Sequence, residues 1–192
     1  QLDHSLQFAT SVEASNPFSS NVIALNSTNW KDEVVDSPHA VFINICRSGW
    51  GYCQLLAPEW EKLAQATKGT AKIAYWDTEE RSRPPALLGE IQGTPTIRLF
   101  TPKIKQGDSN AKKIVTDYPY ERKAADMKNF LESSMPSFLE SVKGGDLSKF
   151  QDKANKYGLP QVFIFTSKAK TIPMLKYLST EFRRRLLIAE IH

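Results

Sequence analysis

The chain is short of the residues that build metal centres and crosslinked scaffolds. Only two Cys (Cys46, Cys53) and three His (His4, His39, His192) occur among its 192 residues. Two Cys exclude a disulfide-dense scaffold, and so small a ligand set argues against structural zinc, so neither metal nor cofactor is expected. Long apolar runs are missing as well. No stretch reaches 18 apolar residues, and nothing in this sequence is expected to span a bilayer. No secretory leader is evident, and Gln1 is compatible with a processed N-terminus. What is there fits an ordinary globular chain, with 41% hydrophobic and 24% charged residues. The length accommodates one domain of about 100–150 residues and part of another.

The net charge of +4 is unevenly placed. Residues 141–192 hold 10 Lys/Arg against 4 Asp/Glu, so the remainder of the chain is slightly acidic. Arg183-Arg184-Arg185 is the one tight basic cluster, and no aromatics interleave it as base stacking would require. The basic segment reads as a solvated face, and no nucleic acid is expected.

Residues 1–20 are polar and aperiodic, a leader or linker. Val22–Leu25 is a strand candidate, and Thr28 or Asn29 is placed to cap a short helix through Trp30 and Val35. Ala40–Cys46 is apolar on both sides of the pleat, as a buried central strand requires. From about Cys53 to Lys68, Leu56, Trp60 and Leu63 share one helical face, with Pro58 expected to kink the helix. Lys72–Trp76 is the next strand. A short helix around Pro85–Glu90, a strand Ile97–Phe100, a polar turn with Gly107-Asp108 and a hairpin partner Lys113–Tyr118 follow. Ala124–Met135 closes the run as a helix with Met127, Phe130 and Leu131 inward. This order predicts an α/β fold with a central mixed sheet and helices on both faces.

After Pro136 the chain reads as a helix–linker broken at Gly144-Gly145, with Asp146 capping the next helix. A strand Val162–Thr166, a helix Ile172–Phe182 (Met174, Leu175 and Leu178 inward) and a strand Leu186–Ile191 complete it.

The segment VFINICRSGWGYCQLLAPEW at 41–60 resembles the active-site region of the protein disulfide isomerase branch of the thioredoxin family. The resemblance extends over about residues 20–142 through AYWDTEE at 74–80, GTPT at 93–96 and YERKAADMKNFLESSMPSF at 120–138. It implies a thioredoxin fold over residues 21–142. Residues 143–192 look like the opening half of a second such domain, one expected to continue past His192.

The family's chemistry uses Cys-x-x-Cys at a helix N-terminus, where the exposed first thiolate attacks and the second cysteine resolves the mixed disulfide. Here that motif reads Trp50-Gly51-Tyr52-Cys53, with Trp50 at the attacking position. The family's buried carboxylate, nine residues before the resolving cysteine, is Asn44, which is no base near neutral pH. Tyr52 replaces the motif's His. The resemblance therefore implies a redox-inactive binding or scaffolding protein, chaperone-like, of the endoplasmic reticulum or another secretory compartment. Its expected partner is a protein or extended peptide. An oxidoreductase acting through Cys53 alone or through a further domain, and a structural subunit of a larger complex, are the rival readings.

Pro95 takes the family's cis-proline place, and Trp50, Tyr52, Thr94 and Pro95 are the candidate binding residues. Trp50 is expected either to stand exposed as an aromatic platform or to fold down and fill the groove. Cys46 faces the same way as Asn44, so a Cys46–Cys53 disulfide is open to it in an oxidising compartment, although two buried free thiols are the simpler outcome. Asn26-Ser27-Thr28 is a glycosylation sequon.

Overall fold

The computed structural model describes residues 18–79, 84–103, 112–142 and 147–192. The expected leader up to residue 17, Glu80 of the 74–80 motif, the Gly107-Asp108 turn and the Gly144-Gly145-Asp146 break lie outside those residues.

Five strands form the first sheet: β1 (Ile23–Leu25), β2 (Val41–Cys46), β3 (Lys72–Asp77), β4 (Thr96–Lys103) and β5 (Lys112–Asp117). Their order is β1-β3-β2-β4-β5, with β1 and β2 parallel to β3, and β4 antiparallel to both β2 and β5. All six residues of β2 are buried, which is why its apolar run has no period. Phe42 and Cys46 pack with Leu56, Trp60 and Leu63 of helix α1 (Gly51–Ala66) and with Met127 and Leu131 of helix α2 (Ala124–Ser134). Val41, Ile43 and Ile45 turn the other way, to Trp30, Val34, Trp76, Leu88 and Phe100.

That second face carries the two short helical elements expected there, each shorter than a full α-helix. It is covered by a π-turn (Lys31–Val35) and a 3₁₀ turn (Ala86–Leu88). The Trp30 ring meets Trp76 and Phe100 edge-on, both at 5.7 Å, and these large rings do the covering a longer helix would do. Neither Thr28 nor Asn29 is the cap of the π-turn, whose N-cap is Trp30; Asn26 Oδ1 accepts from the N–H groups of Thr28 and Asn29, and Asn29 Oδ1 accepts from the Asn26 N–H. Helix α1 continues unbroken through Pro58 and begins two residues before the expected start.

A second, smaller sheet follows: β6 (Glu140–Ser141), helix α3 (Leu147–Tyr157), β7 (Gln161–Phe165), helix α4 (Pro173–Glu181) and β8 (Leu187–Ile191). Its order is β6-β8-β7, all parallel, so it repeats the β1-β3-β2 arrangement. Two expectations are corrected here. The start is a two-residue strand rather than a helix, because Glu140 and Ser141 pair with Ala189 and Glu190 of β8. Met174 is exposed, and the buried residues of α4 are Ser179 and Thr180.

Those two hydroxyls belong to a junction with the first sheet. Ser179 Oγ accepts from the Phe138 N–H, and Thr180 Oγ1 donates to the Pro136 carbonyl. From the same helix, Tyr177 stacks on His39 at 4.0 Å and Glu181 accepts a 2.8 Å hydrogen bond from His39 Nε2. Burial holds the His39 imidazole below its usual pKa, more than Glu181 raises it.

Candidate functional site

β2 ends at Cys46, and a four-residue connection, Arg47-Ser48-Gly49-Trp50, leads into α1. Gly49 has φ +84°, a left-handed conformation that side chains with a Cβ rarely adopt, so the turn requires glycine. Trp50 is the N-cap of α1 and contributes no side-chain cap hydrogen bond. No acidic residue occupies the first turn either. The amide groups at this end thus form a locally positive region that the helix's own residues do not neutralise.

The Trp50 ring stands out from the surface, 49% exposed, so it does not fill a groove. The Arg47 guanidinium lies 5.2 Å from its centroid and also donates to Glu79 Oε1 at 2.6 Å. A cation–π contact at an exposed ring is worth about 0.5–1 kcal/mol and biases the ring toward this orientation. Tyr52 is 70% exposed. Beside it stands Leu55, 72% exposed, which the sequence reading passed over. Its signal was there: Leu55 lies about 100° around the helix from Leu56, off the inward face of Leu56, Trp60 and Leu63. Gly51, Tyr52, Gln54 and Leu55 bound a shallow concavity of about 500 Å³.

The Thr94–Pro95 bond is cis. The register Ile45↔Thr96 puts this loop at the end of β4 beside the end of β2. Pro95 itself is buried and Thr94 half-buried, so of the four candidate binding residues only Trp50 and Tyr52 present broad surface. Arg122 Nη2 donates to the Pro95 carbonyl at 3.0 Å.

Cys46 and Cys53 are bonded to each other, with their Cα atoms 5.9 Å apart. That corrects the simpler expectation of two free thiols. The strand end and the helix start lie within the roughly 4.4–6.8 Å that a disulfide tolerates, because the intervening turn is tight. Asn44 is fully buried on the same strand face, and neither its Oδ1 nor its Nδ2 has a hydrogen-bond partner. A cavity of about 220 Å³ joins Asn44, Cys46 and Cys53 to Phe18, Tyr75 and Gln54, among others. At its edge Ser48 Oγ donates to Asp77 Oδ2 at 2.6 Å and lies 2.9 Å from the Tyr75 hydroxyl. Burial pushes the Tyr75 phenol up to about 12. Burial also pushes the Asp77 carboxyl up, but hydrogen bonds from Ser48, the Glu79 N–H and Tyr75 outweigh it and hold Asp77 below its usual value. Neither group is a base poised near neutrality.

Elsewhere, Pro119, Tyr120, Asp126 and Phe130 line a concavity of about 750 Å³ that contains none of the motif residues. Among the described residues no cluster of potential metal ligands occurs, and no helix is long and apolar enough to cross a membrane.

The thioredoxin family model matches residues 21–133. A Dictyostelium discoideum relative bearing a protein disulfide-isomerase name is 29% identical over 174 residues, covering 89% of this chain and 40% of its own. A thioredoxin domain-containing protein of Schizosaccharomyces pombe, named as mitochondrial, is 30% identical over 170 residues, covering 86% of this chain and 44% of its own. The chain thus spans less than half the length of either relative. Among solved structures, a crystal form of ERdj5 superposes with a TM-score of 0.66 at 18% identity, over 90% of this chain and 22% of that one. That likeness is one of fold.

Proposed function

The chain belongs to the thioredoxin family, and we propose that it serves as a docking module that lacks the family's dithiol cycle at residues 50–53. The observation that carries this is Trp50. At the position of the attacking thiol stands a large ring, half exposed and held by Arg47. With Tyr52 and Leu55 it offers the kind of aromatic and apolar surface that dominates interface energies. The Thr94–Pro95 loop beside it supplies backbone for strand-like hydrogen bonding with an extended peptide.

A second reading, single-thiol chemistry at Cys53, is disfavoured by the bond to Cys46, which leaves Cys53 without a free thiol. The two sheets support a division into two units, the second being the opening half of another thioredoxin-like unit, but β6 and Val142 pack in the second sheet, which moves the boundary from the expected 142/143 to before Glu140. The disulfide and the relatives' isomerase names favour a secretory compartment such as the endoplasmic reticulum lumen. In that setting the Asn26 sequon is open to glycosylation.

Two assays test the reading. The chain should not reduce insulin above background, and turnover matching an intact Cys-x-x-Cys domain would refute it. Trp50→Ala should weaken binding of a reduced, carboxymethylated model protein by about 1–2 kcal/mol, read by fluorescence anisotropy. The position assignments are checked separately. Trp50→Cys with Cys46→Ala should gain weak turnover, and adding Asn44→Glu should raise it by up to about 10²-fold, at the lower end of general-base assistance.

A further inference from the structure

The Cys46–Cys53 disulfide is not sealed in the core. Arg47, Ser48, Gly49 and Gln54 are exposed at the rim of the 220 Å³ cavity, and Cys46 and Asn44 lie at its buried end. Cys53 is 8% exposed and Cys46 1%, so Cys53 is the less covered of the two cysteines. Asn44 is the one residue, among those described, with both polar side-chain atoms buried and unpartnered. It lines this cavity two residues from Cys46 on the same strand face.

We propose that this disulfide is a thiol-exchange site, opened by a dithiol reductant through the cavity without unfolding of the protein. One thiolate of the reductant attacks Cys53 Sγ. A bond forms between those two sulfurs, the Cys46–Cys53 bond breaks, and Cys46 leaves with the electron pair and takes a proton from water. The reductant's second thiolate then attacks its own first sulfur, closes the reductant's disulfide and releases Cys53 as thiolate. Two thiols of the reductant are oxidised to one disulfide while the protein disulfide is reduced to two thiols.

The surroundings favour each leaving group. Cys53 sits in the first turn of α1, where amide N–H groups favour a thiolate and the helix itself supplies no acidic residue, while the Asp77 carboxylate at the cavity's edge is engaged by Ser48 and Tyr75. A thiolate at Cys46 is buried and costly unless it finds a donor. Asn44 brings an unfilled N–H to that side of the cavity, where a carboxylate would bring a like charge. Asn44 is a positioning residue in this step.

The bond also closes the loop that carries Trp50 and Tyr52, so its opening loosens the docking surface. That consequence rests on the docking reading above, whereas the redox step does not.

The experiment uses the full chain in native buffer with excess dithiothreitol, alkylation at intervals and intact-mass counting of thiols. Hydrogen exchange measures global opening in parallel. Reduction should rise linearly with dithiothreitol and run at least tenfold faster than global opening. Ala57→Leu, which fills the cavity, should slow it at least tenfold at unchanged global stability. For Asn44→Asp the advantage of the native protein should widen as pH rises and the new carboxyl ionises, a profile a merely structural change would not give. Reduction at the global opening rate, independent of dithiothreitol, would overturn the proposal, as would an Ala57→Leu variant reduced as fast as the native chain. No partner is present, so failure here leaves the docking reading standing, and failure of Trp50→Ala in the binding assay leaves this one standing.

Discussion

β2 and β7 hold the same place in their sheets, each lying next to a parallel strand that separates it from the first strand of its unit. Their surroundings differ sharply. β2 is buried along its whole length, while β7 alternates between half-buried and exposed residues and ends at Phe165, 77% exposed. The parallel arrangement is therefore not what buries a strand. In the first sheet, β4 fills the free edge of β2, and α1, α2 and the Trp30 cluster cover its two faces. The second sheet has a core of Val142, Phe150, Ala154, Leu187 and Ala189, and among the described residues no strand pairs with the other edge of β7. Closure by an antiparallel hairpin separates a full core from a partial one.

The contrast can be broken by mutation. Phe42→Ala, in the closed sheet, should cost about 3–5 kcal/mol by urea unfolding. Because α4 docks the second sheet on the first, hydrogen-exchange protection should fall in both. Phe150→Ala should cost less, about 2 kcal/mol, since a small half-open cluster can relax around the cavity. Its loss of protection should stay within the second sheet and its helices, residues 140–142 and 147–191. A Phe150→Ala penalty equal to that of Phe42→Ala would show that the two sheets form one cooperative core.

The junction between the sheets sharpens the comparison further. His39 is buried beneath Tyr177 with Glu181 as its partner and Lys72 and Lys113 nearby, and its pKa lies below 6.5 in the folded chain. The unfolded chain therefore takes up a proton first as the pH falls. The stability contributed by neutral His39 is present above pH 6.5 and is lost as the pH drops through the folded pKa. The urea midpoint should be lower at pH 5.5 than at pH 7.5, and His39→Gln should flatten that difference. An unchanged pH dependence in His39→Gln would place the sensitivity elsewhere. Lys113 acts in the same direction: burial pulls its ammonium down to about 8, so it starts to lose its proton near the top of this window and adds a small rise of stability with pH that His39→Gln leaves in place. The smallest effect should come from Trp50→Ala, within about 0.5 kcal/mol on unfolding because the ring is exposed. A large loss of stability there would mean that Trp50 supports the fold.

Much of this was legible in the chain, for reasons that can be traced. The fully apolar run Val41–Cys46 announced a central strand because both its faces are covered. Leu56, Trp60 and Leu63 announced the inner face of α1. The burial of Asn44 followed from the same apolar run, and the place of Trp50 just ahead of α1 from the helical pattern that begins after it. What escaped was set by long-range contacts. A two-residue strand at Glu140–Ser141 exists only by pairing with β8, some 50 residues on. Met174 fits an inward pattern by period, but the junction selects the Ser179 and Thr180 side of α4 instead. The Cys46–Cys53 bond depends on how tightly Arg47–Trp50 turns, which a spacing of seven residues does not specify.

Arg98 ties the region before the Thr94–Pro95 loop together. Its guanidinium donates to the carbonyls of Leu88 at 2.5 Å and Glu90 at 2.8 Å, and to Asp117 Oδ1 at 2.6 Å. Arg122 holds the Pro95 carbonyl directly through one hydrogen bond, while the Arg98 fork fixes the segment that leads into the loop. A rim already fixed this way has little conformational freedom left to surrender when a peptide settles on it. Such preorganisation lowers the entropic cost of association, typically about 0.5–1.5 kcal/mol for each rotamer-rich side chain immobilised. Arg98→Lys would keep the charge and lose the fork. Its signature would be a less favourable binding entropy, measured by calorimetry at a site Arg98 never touches.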